Sequence, residues 1–215
     1  MIKRLLLLAA LAFVGAALWW RKNPSACPYS QRFWVDAPHP LITRDRLAEV
    51  LGPLPAERIL EIGPGTGYYT LDMAGWVPDG VIEIFDLQQE MLDHTMERVR
   101  EAGIGNVTAT QGDATELPYA DDSFDAVVLI TVLGEIADRK AAIAEIARVL
   151  KPGGRLVAGE LFGDPHYTTP GDLTRLGAGA GLGPLERTGP LIGYFGRLEK
   201  PAASASQSSS SASST

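Results

Sequence analysis

Between residues 58 and 161 the sequence alternates short β-branched runs with stretches of helical spacing, and that alternation leaves few folds open. Residues 58–62 (RILEI) form a strand-like run that ends in glycines, and residues 81–85 (VIEIF) form a second. Over residues 89–102, Leu92, Met96 and Val99 return at helical intervals. Residues 107–111 (VTATQ) follow a Gly-Asn turn. Residues 125–132 (DAVVLITV) are apolar almost throughout, as expected of a central strand covered on both faces. Ile143, Ile146, Ala147 and Leu150 fall at i, i+3, i+4 and i+7 of a helix that Lys151-Pro152-Gly153-Gly154 should stop, and residues 155–161 resume as strand. Strands that alternate with helices pair in parallel, with the helices as crossovers on both faces. The expected fold is α/β, a doubly wound and mostly parallel sheet.

With 215 residues, the chain is long enough for one sizeable core. Its single cysteine, Cys27, excludes a disulfide framework and any multi-cysteine metal site. The three histidines, His39, His94 and His166, are scattered, so no metal is expected. Charge is divided unevenly. The first 35 residues hold five basic side chains (Lys3, Arg4, Arg21, Lys22 and Arg32) and no acid, whereas the remainder, with fourteen basic and 26 acidic residues, carries −12. Such a domain repels phosphate backbones, which argues against nucleic acid as a partner. The basic start suits an anionic membrane surface instead.

Residues 5–20 (LLLLAALAFVGAALWW) are uncharged and flanked by Lys3-Arg4 and Arg21-Lys22. As a helix the run would be about 24 Å long, slightly short of the ~30 Å hydrocarbon core. Flanking basic residues can snorkel, and Trp19-Trp20 suit an interfacial belt. A cleaved signal peptide and a buried or partner-binding helix are the rival readings. The bulky Trp19-Trp20 stand where a cleavage site needs small residues, and an all-round apolar stripe fits a buried soluble helix poorly. An uncleaved membrane anchor is therefore the expectation. Residues 23–40, with four prolines, read as an irregular linker, and the serine-rich, uncharged end from residue 202 should be disordered.

The sharpest local feature is Glu61-Ile62-Gly63-Pro64-Gly65-Thr66-Gly67, set between a strand and a helix. Glycines there permit a tight turn and let a ligand approach the backbone. Any α/β turn can carry glycines, but this spacing is neither G-x-G-x-x-G nor a phosphate-cradling loop with a following Lys-Ser/Thr. Asp86 ends the second strand-like run, placed to accept from both ribose hydroxyls of a nucleoside. Asp113 follows the third strand, where it can accept from an adenine amino group. Taken alone, Asp86 reads better as a solvated strand-end residue. Ligands of open parallel sheets bind along this edge, so the loop and both acids converge on one crevice.

Four stretches resemble the class I S-adenosylmethionine-dependent methyltransferases: ILEIGPGTGYYTL (59–71), IEIFDLQQEML (82–92), QGDATELPYADDSFDAVVL (111–129) and IARVLKPGGRLV (146–157). Their order and spacing are similar to the small-molecule branch that includes quinone-biosynthesis and lipid methyltransferases. The resemblance implies S-adenosylmethionine as cofactor and a Rossmann-like sheet closed by a C-terminal antiparallel strand, for which residues 185–188 and 192–199 are available. It further implies that Glu61, Gly63, Gly65 and Gly67 wrap the methionine part, Asp86 holds the ribose, Leu87 covers the adenine, and Asp113 with Ala114 contacts its edge. Thr131 would lie close to the methionine moiety. The chain then divides into an anchor helix (1–22), a linker or N-terminal cap (23–44), a methyltransferase domain (45–200) and a serine-rich tail (201–215).

The implied reaction is direct displacement of a sulfonium methyl by a small acceptor. Positioning is the main requirement, worth ~7–11 kcal/mol, with a base needed only for a protonated, weakly acidic nucleophile. Substrate-facing candidates are Gly134-Glu135 after the fourth strand and residues 163–167 after the fifth. In the latter, His166 is the candidate general base, set against the plainer reading of a loop histidine bonded to a carboxylate or solvent. His94 reads as an ordinary helix-surface residue. His39 could line a lid, with Tyr29 and Trp34 either joining it or packing on the core. An anchored enzyme meets hydrophobic acceptors such as quinones and lipids, with its catalytic domain facing the cytoplasm where the cofactor is made. Two rivals remain: a membrane-tethered protein that binds the nucleoside cofactor without turnover, and an NAD-dependent oxidoreductase, for which the glycine spacing is wrong.

Overall fold

The computed structural model describes residues 24–34 and 39–202, together with Gly15. The expected anchor over residues 5–20 and nearly all of the serine-rich tail lie outside the described residues. No described helix is long and apolar enough to cross a membrane.

After a short 3-10 turn at Tyr29–Trp34, helix α1 (Arg44–Leu51) leads into β1 (Arg58–Ile62), α2 (Thr70–Trp76), β2 (Val81–Asp86), α3 (Gln89–Glu101) and β3 (Val107–Gln111). The second half runs β4 (Phe124–Ile130), a 3-10 turn at Leu133–Glu135, α4 (Arg139–Val149), β5 (Leu150–Leu161), α5 (Pro170–Gly179), β6 (Glu186–Thr188) and β7 (Gly193–Glu199). One seven-stranded sheet results, in the order β3-β2-β1-β4-β5-β7-β6. Strands β1 to β5 are parallel, while β7 runs antiparallel between β5 and β6. The doubly wound, mostly parallel sheet with antiparallel C-terminal strands is thus the fold expected from the sequence.

Period-2 alternation sorts the strand side chains onto two faces. Leu60, Val127, Leu129, Leu156 and Tyr194 pack on one face against Ile143, Ile146 and Leu173 from α4 and α5. Ile59, Ile82, Ile84, Val128 and Phe195 pack on the other, against Leu47, Met73, Leu92 and Val99 from α1, α2 and α3. Helix ends are set by local chemistry. Thr43, Asp138 and Thr169 accept backbone N–H groups in the first turns of α1, α4 and α5, and Gly52 closes α1 at φ 54°.

Two boundaries differ notably from the sequence expectation: β4 stops at Ile130, two residues short of the expected run, because Thr131 turns to φ 57°, and β5 starts early. Strand β5 begins at Leu150, directly at the end of α4, with Leu150 opposite Phe124 and Arg155 opposite Ala126. Lys151-Pro152-Gly153-Gly154 is therefore a bulge within the strand's span, and Gly153 takes φ 81°, which L side chains avoid. Below it, Arg155 is buried and forks both Nη atoms onto Glu57, at 2.9 and 2.6 Å. That ion pair ties β5 to the entry of β1 at the edge opposite the crevice.

Candidate functional site

Because β1 to β5 are parallel, the loops that follow them gather at one edge of the sheet, and the order reverses at β1 and β4. That switch point is where open α/β sheets bind ligands. The loop after β1 is held open by backbone conformation. Gly63, Gly65 and Gly67 have φ of 69°, 58° and 80°, in the left-handed region where glycine carries no penalty. Space is equally restrictive: a Cβ on Gly63 would stand 2.3 Å from Val132 Cγ2, and one on Gly67 would stand 2.8 Å from Thr95 Cγ2. Helix α3 holds the loop from outside, with Thr95 Oγ1 donating to the Gly65 carbonyl at 2.9 Å and Arg98 donating to the Thr66 carbonyl at 2.6 Å.

Glu61 lies at the base of this loop, only 2% exposed. Its carboxylate accepts from Thr70 Oγ1 at 2.5 Å. Burial, with Asp86 nearby as a second carboxylate, pushes its pKa up to about 7, although the Thr70 hydrogen bond works the other way. Asp86 ends β2, and Gln88 N–H donates to its Oδ1 at 2.8 Å. Its pKa is also raised, again chiefly by burial. A carboxylate has about four lone-pair sites, so the backbone amides of Leu87 and Gln88 fix Asp86 without exhausting it. Asp113 is held in an Asx turn, accepting Thr115 N–H and Oγ1 at 2.8 Å each, and those bonds keep its carboxyl below the usual range. Ala114, next in sequence to Asp113, is buried, and Leu87, next to Asp86, is exposed.

Thr131, one residue beyond β4, has φ 57°, an outlier for a β-branched residue. Its N–H is fixed to the Gly159 carbonyl at 2.7 Å, and its neighbour Val132 packs on Gly63. The strained residue therefore adjoins the glycine loop. Strain of this kind, about 1–3 kcal/mol, persists where the surroundings over-determine it, commonly at ligand sites.

His166, 7% exposed, sits in the turn after β5, its own N–H donating to Asp164 Oδ1 at 2.6 Å. The turn packs so closely on the β4 loop that a Cβ on Gly134 would fall 1.7 Å from the His166 carbonyl oxygen. A cavity of about 440 Å³ opens here, with His166, Tyr167, Gly134, Arg139, Asp172 and Pro24 among its walls.

Two participants, Glu135 and Gln88, were not singled out as site residues in the sequence. Glu135, known there only as part of a substrate-facing loop, accepts the Cys27 N–H at 3.1 Å. Gln88 donates to the Cys27 carbonyl at 2.9 Å and accepts the Tyr29 N–H at 3.1 Å. Residues 27–29 thereby bridge from the β4 loop to the β2 loop, across the strand that carries the glycines. These contacts join residues 59 and 108 positions apart, and no local pattern announces them. Burial raises Glu135 to about 8, with Asp164 and Asp86 adding repulsion. His39 packs on the tyrosines after the glycine loop, edge-on to Tyr68 at 5.2 Å and stacked with Tyr69 at 6.1 Å. Tyr29 meets His94 edge-on at 6.0 Å rather than the core.

The donor set discriminates among nucleotides. Glu61, Asp86, Glu135 and Asp164 act on one another across the crevice. Among the described residues, the groups that shift Glu61 and Glu135 are Thr70, Asp86, Cys27 and Asp164, none of them a cation. A ligand with a sulfonium and an ammonium relieves that repulsion, whereas the pyrophosphate of a dinucleotide aggravates it. The residues present fit S-adenosylmethionine.

Comparison with known proteins agrees. Residues 59–154 match a family described as a methyltransferase domain. The ubiquinone/menaquinone biosynthesis C-methyltransferase UbiE of Vibrio parahaemolyticus is 40% identical over 108 residues, which are 49% of this chain and 42% of the relative. That of Shewanella halifaxensis is 36% identical over 121 residues, 55% of this chain and 48% of the relative. The chain thus spans somewhat less than half the length of these curated relatives. Among solved structures, a SAM-dependent methyltransferase from Aquifex aeolicus superimposes with a TM-score of 0.73 at 19% identity, covering 81% of this chain and 100% of that one. The [4+2]-cyclase SpnF superimposes with a TM-score of 0.66 at 23% identity, covering 74% and 80%. These two likenesses speak for the fold. The family match and the curated relatives bear out the resemblance to class I S-adenosylmethionine-dependent methyltransferases.

Proposed function

We propose that this chain, which carries a methyltransferase domain at residues 59–154 and is similar to the quinone-biosynthesis enzymes of class I, moves a methyl group from S-adenosylmethionine to a small hydrophobic acceptor. The observation that carries the reading is the convergence of the Glu61–Gly67 loop, Asp86 and Asp113 at the switch point of the sheet. Bound there, S-adenosylmethionine supplies a sulfonium methyl open to in-line displacement by the acceptor's lone pair.

The protein's share is placement. Gly63, Gly65 and Gly67 admit the methionine part against bare backbone, and Thr131 flanks it. Asp86 takes the ribose hydroxyls. Leu87 covers the adenine, while Asp113 and Ala114 meet its edge. Glu61 balances the ligand's positive charge. The bridge at residues 27–29 limits water above the loop. An acceptor that loses a proton on methylation needs a base on the β4–β5 side of the crevice, and His166 takes that role in this reading. Residues 5–20 anchor the chain in a membrane, with the domain on the cytoplasmic side, where hydrophobic acceptors are concentrated.

Calorimetric titration of the full chain in mild detergent with S-adenosylhomocysteine tests the cofactor. Micromolar binding is expected, with none for NAD and a loss of at least about tenfold in Asp86→Ala, one hydrogen-bonded carboxylate's worth. A folded chain that binds NAD but not S-adenosylhomocysteine overturns the reading. The base role falls if His166→Ala leaves turnover unchanged at every pH.

A further inference from the structure

Exposed apolar side chains are not spread evenly over this molecule. Six large ones stand more than half exposed among the described residues: Phe33, Leu54, Leu87, Phe162, Leu191 and Ile192. All but Leu54 lie at the edge where the parallel strands end. Phe162 follows β5 and is 65% exposed, while Leu191 (62%) and Ile192 (54%) precede β7. These three form one patch, because Phe162 N–H donates to the Ile192 carbonyl at 2.9 Å and Tyr167 packs edge-on to Phe162 while its hydroxyl donates to the Leu191 carbonyl. Leu87 follows β2, and Phe33 sits in the turn that Tyr29 pins to Gln88 beside it. Leu54, between α1 and β1, marks the opposite edge.

The preceding sequence arrives at this same edge. Pro24 shares a cavity wall with Tyr167, so the chain enters the fold beside the Phe162 patch. Immediately before it come Arg21-Lys22 and the sixteen uncharged residues 5–20. The exposed apolar side chains thus gather at the edge where the basic, apolar leading sequence joins the described domain. Patches of this kind mark interaction surfaces, and basic residues next to apolar ones suit an anionic lipid surface.

We propose that the edge bearing Phe162, Leu191 and Ile192 lies against an anionic lipid bilayer, so that the crevice opens toward the membrane and its acceptor enters from the lipid. The inference rests on the reading of residues 5–20 as a membrane-inserting segment, and it adds which face of the domain meets the lipid. With residues 1–22 in the bilayer and Pro24 at the sheet edge, little chain separates the patch from the headgroups. Phe162, Leu191 and Ile192 then dip into the interface on one side of the mouth and Phe33 on the other.

Depth measurement tests this on the full chain. In a Cys27→Ser background, single Phe162→Cys, Ile192→Cys and Leu54→Cys variants are labelled with an environment-sensitive fluorophore. Each is mixed with phosphatidylcholine/phosphatidylglycerol vesicles carrying a quencher in the acyl chains. Sedimentation reports binding, and quenching reports depth. The proposal expects quenching at positions 162 and 192 to be roughly threefold or more that at 54, as for side chains in the interfacial layer. Equal, weak quenching at all three positions on a vesicle-bound chain overturns the orientation while leaving the anchor intact. A chain that does not sediment with vesicles removes the anchor reading and the proposal with it. Labels at 162 and 192 that are already shielded without lipid, by a second copy or by the chain's own leading residues, also overturn it.

Discussion

A carboxylate enclosed beside a second carboxylate, as Glu61 is beside Asp86, holds its proton to near neutrality until a cation arrives. Glu61 has a folded pKa of about 7 against an ordinary 4.5, because burial penalises its charged form. Its stability contribution is therefore fully present below about pH 4.5 and is lost as pH rises through 7. Glu135 and Glu160, both raised to about 8, extend that loss upward. The unliganded chain should melt at a lower temperature at pH 8 than at pH 5.5, and scanning calorimetry at the two values checks it. Glu61→Gln should narrow the gap and weaken S-adenosylmethionine binding by about tenfold, one tenfold step being ~1.4 kcal/mol. Thr131 gives a second test at this scale. If its φ of 57° is strain, Thr131→Gly should stabilise the unliganded chain by about 1 kcal/mol, a rise of roughly 2–4 °C in Tm. A fall in Tm would show that the side chain's contacts outweigh the backbone.

Among the elements, the Arg155–Glu57 pair and the bridge at residues 27–29 make opposite demands. The pair is buried and bidentate, so Arg155→Met leaves a buried carboxylate without its partner and should destabilise by about 3–5 kcal/mol in urea unfolding. The bridge rests on a few part-buried hydrogen bonds, so Gln88→Ala should barely move Tm. It should, however, speed proteolysis within residues 24–34 and hasten cofactor exchange, both measurable by stopped-time assays. These elements also show what a sequence can and cannot announce. Strands β1, β2 and β4 were legible because parallel strands buried on both faces leave largely apolar runs, the exposed edge strand β3 because its β-branched residues follow a Gly-Asn turn, and the acids at their ends follow from strand direction. The loop after β1 was legible because glycine alone accepts its φ values. Helix α5 was not, since its buried stripe is reduced to Leu173 and Gly177. The early start of β5 was hidden because Pro152 and the two glycines after it read as a break when they are a bulge. Glu135 and Gln88 were hidden because their partners lie far along the chain.

On the scale of the whole molecule, charge and apolar surface are segregated. The first 35 residues hold base without acid, the remainder is net acidic with several acids in its crevice, and the large exposed apolar side chains among the described residues, Leu54 apart, lie along the edge where the crevice opens. This arrangement favours a cationic nucleoside cofactor and disfavours phosphates, which is the central claim. Isothermal titration with S-adenosylmethionine at pH 6 and pH 8, with NAD as control, tests it most directly. With Glu61 titrating near 7, affinity should rise about tenfold between the two, protons should be released on binding at pH 6, and NAD should not bind. Failure of a folded chain to bind S-adenosylmethionine at either pH, or binding of NAD in its place, would contradict the account.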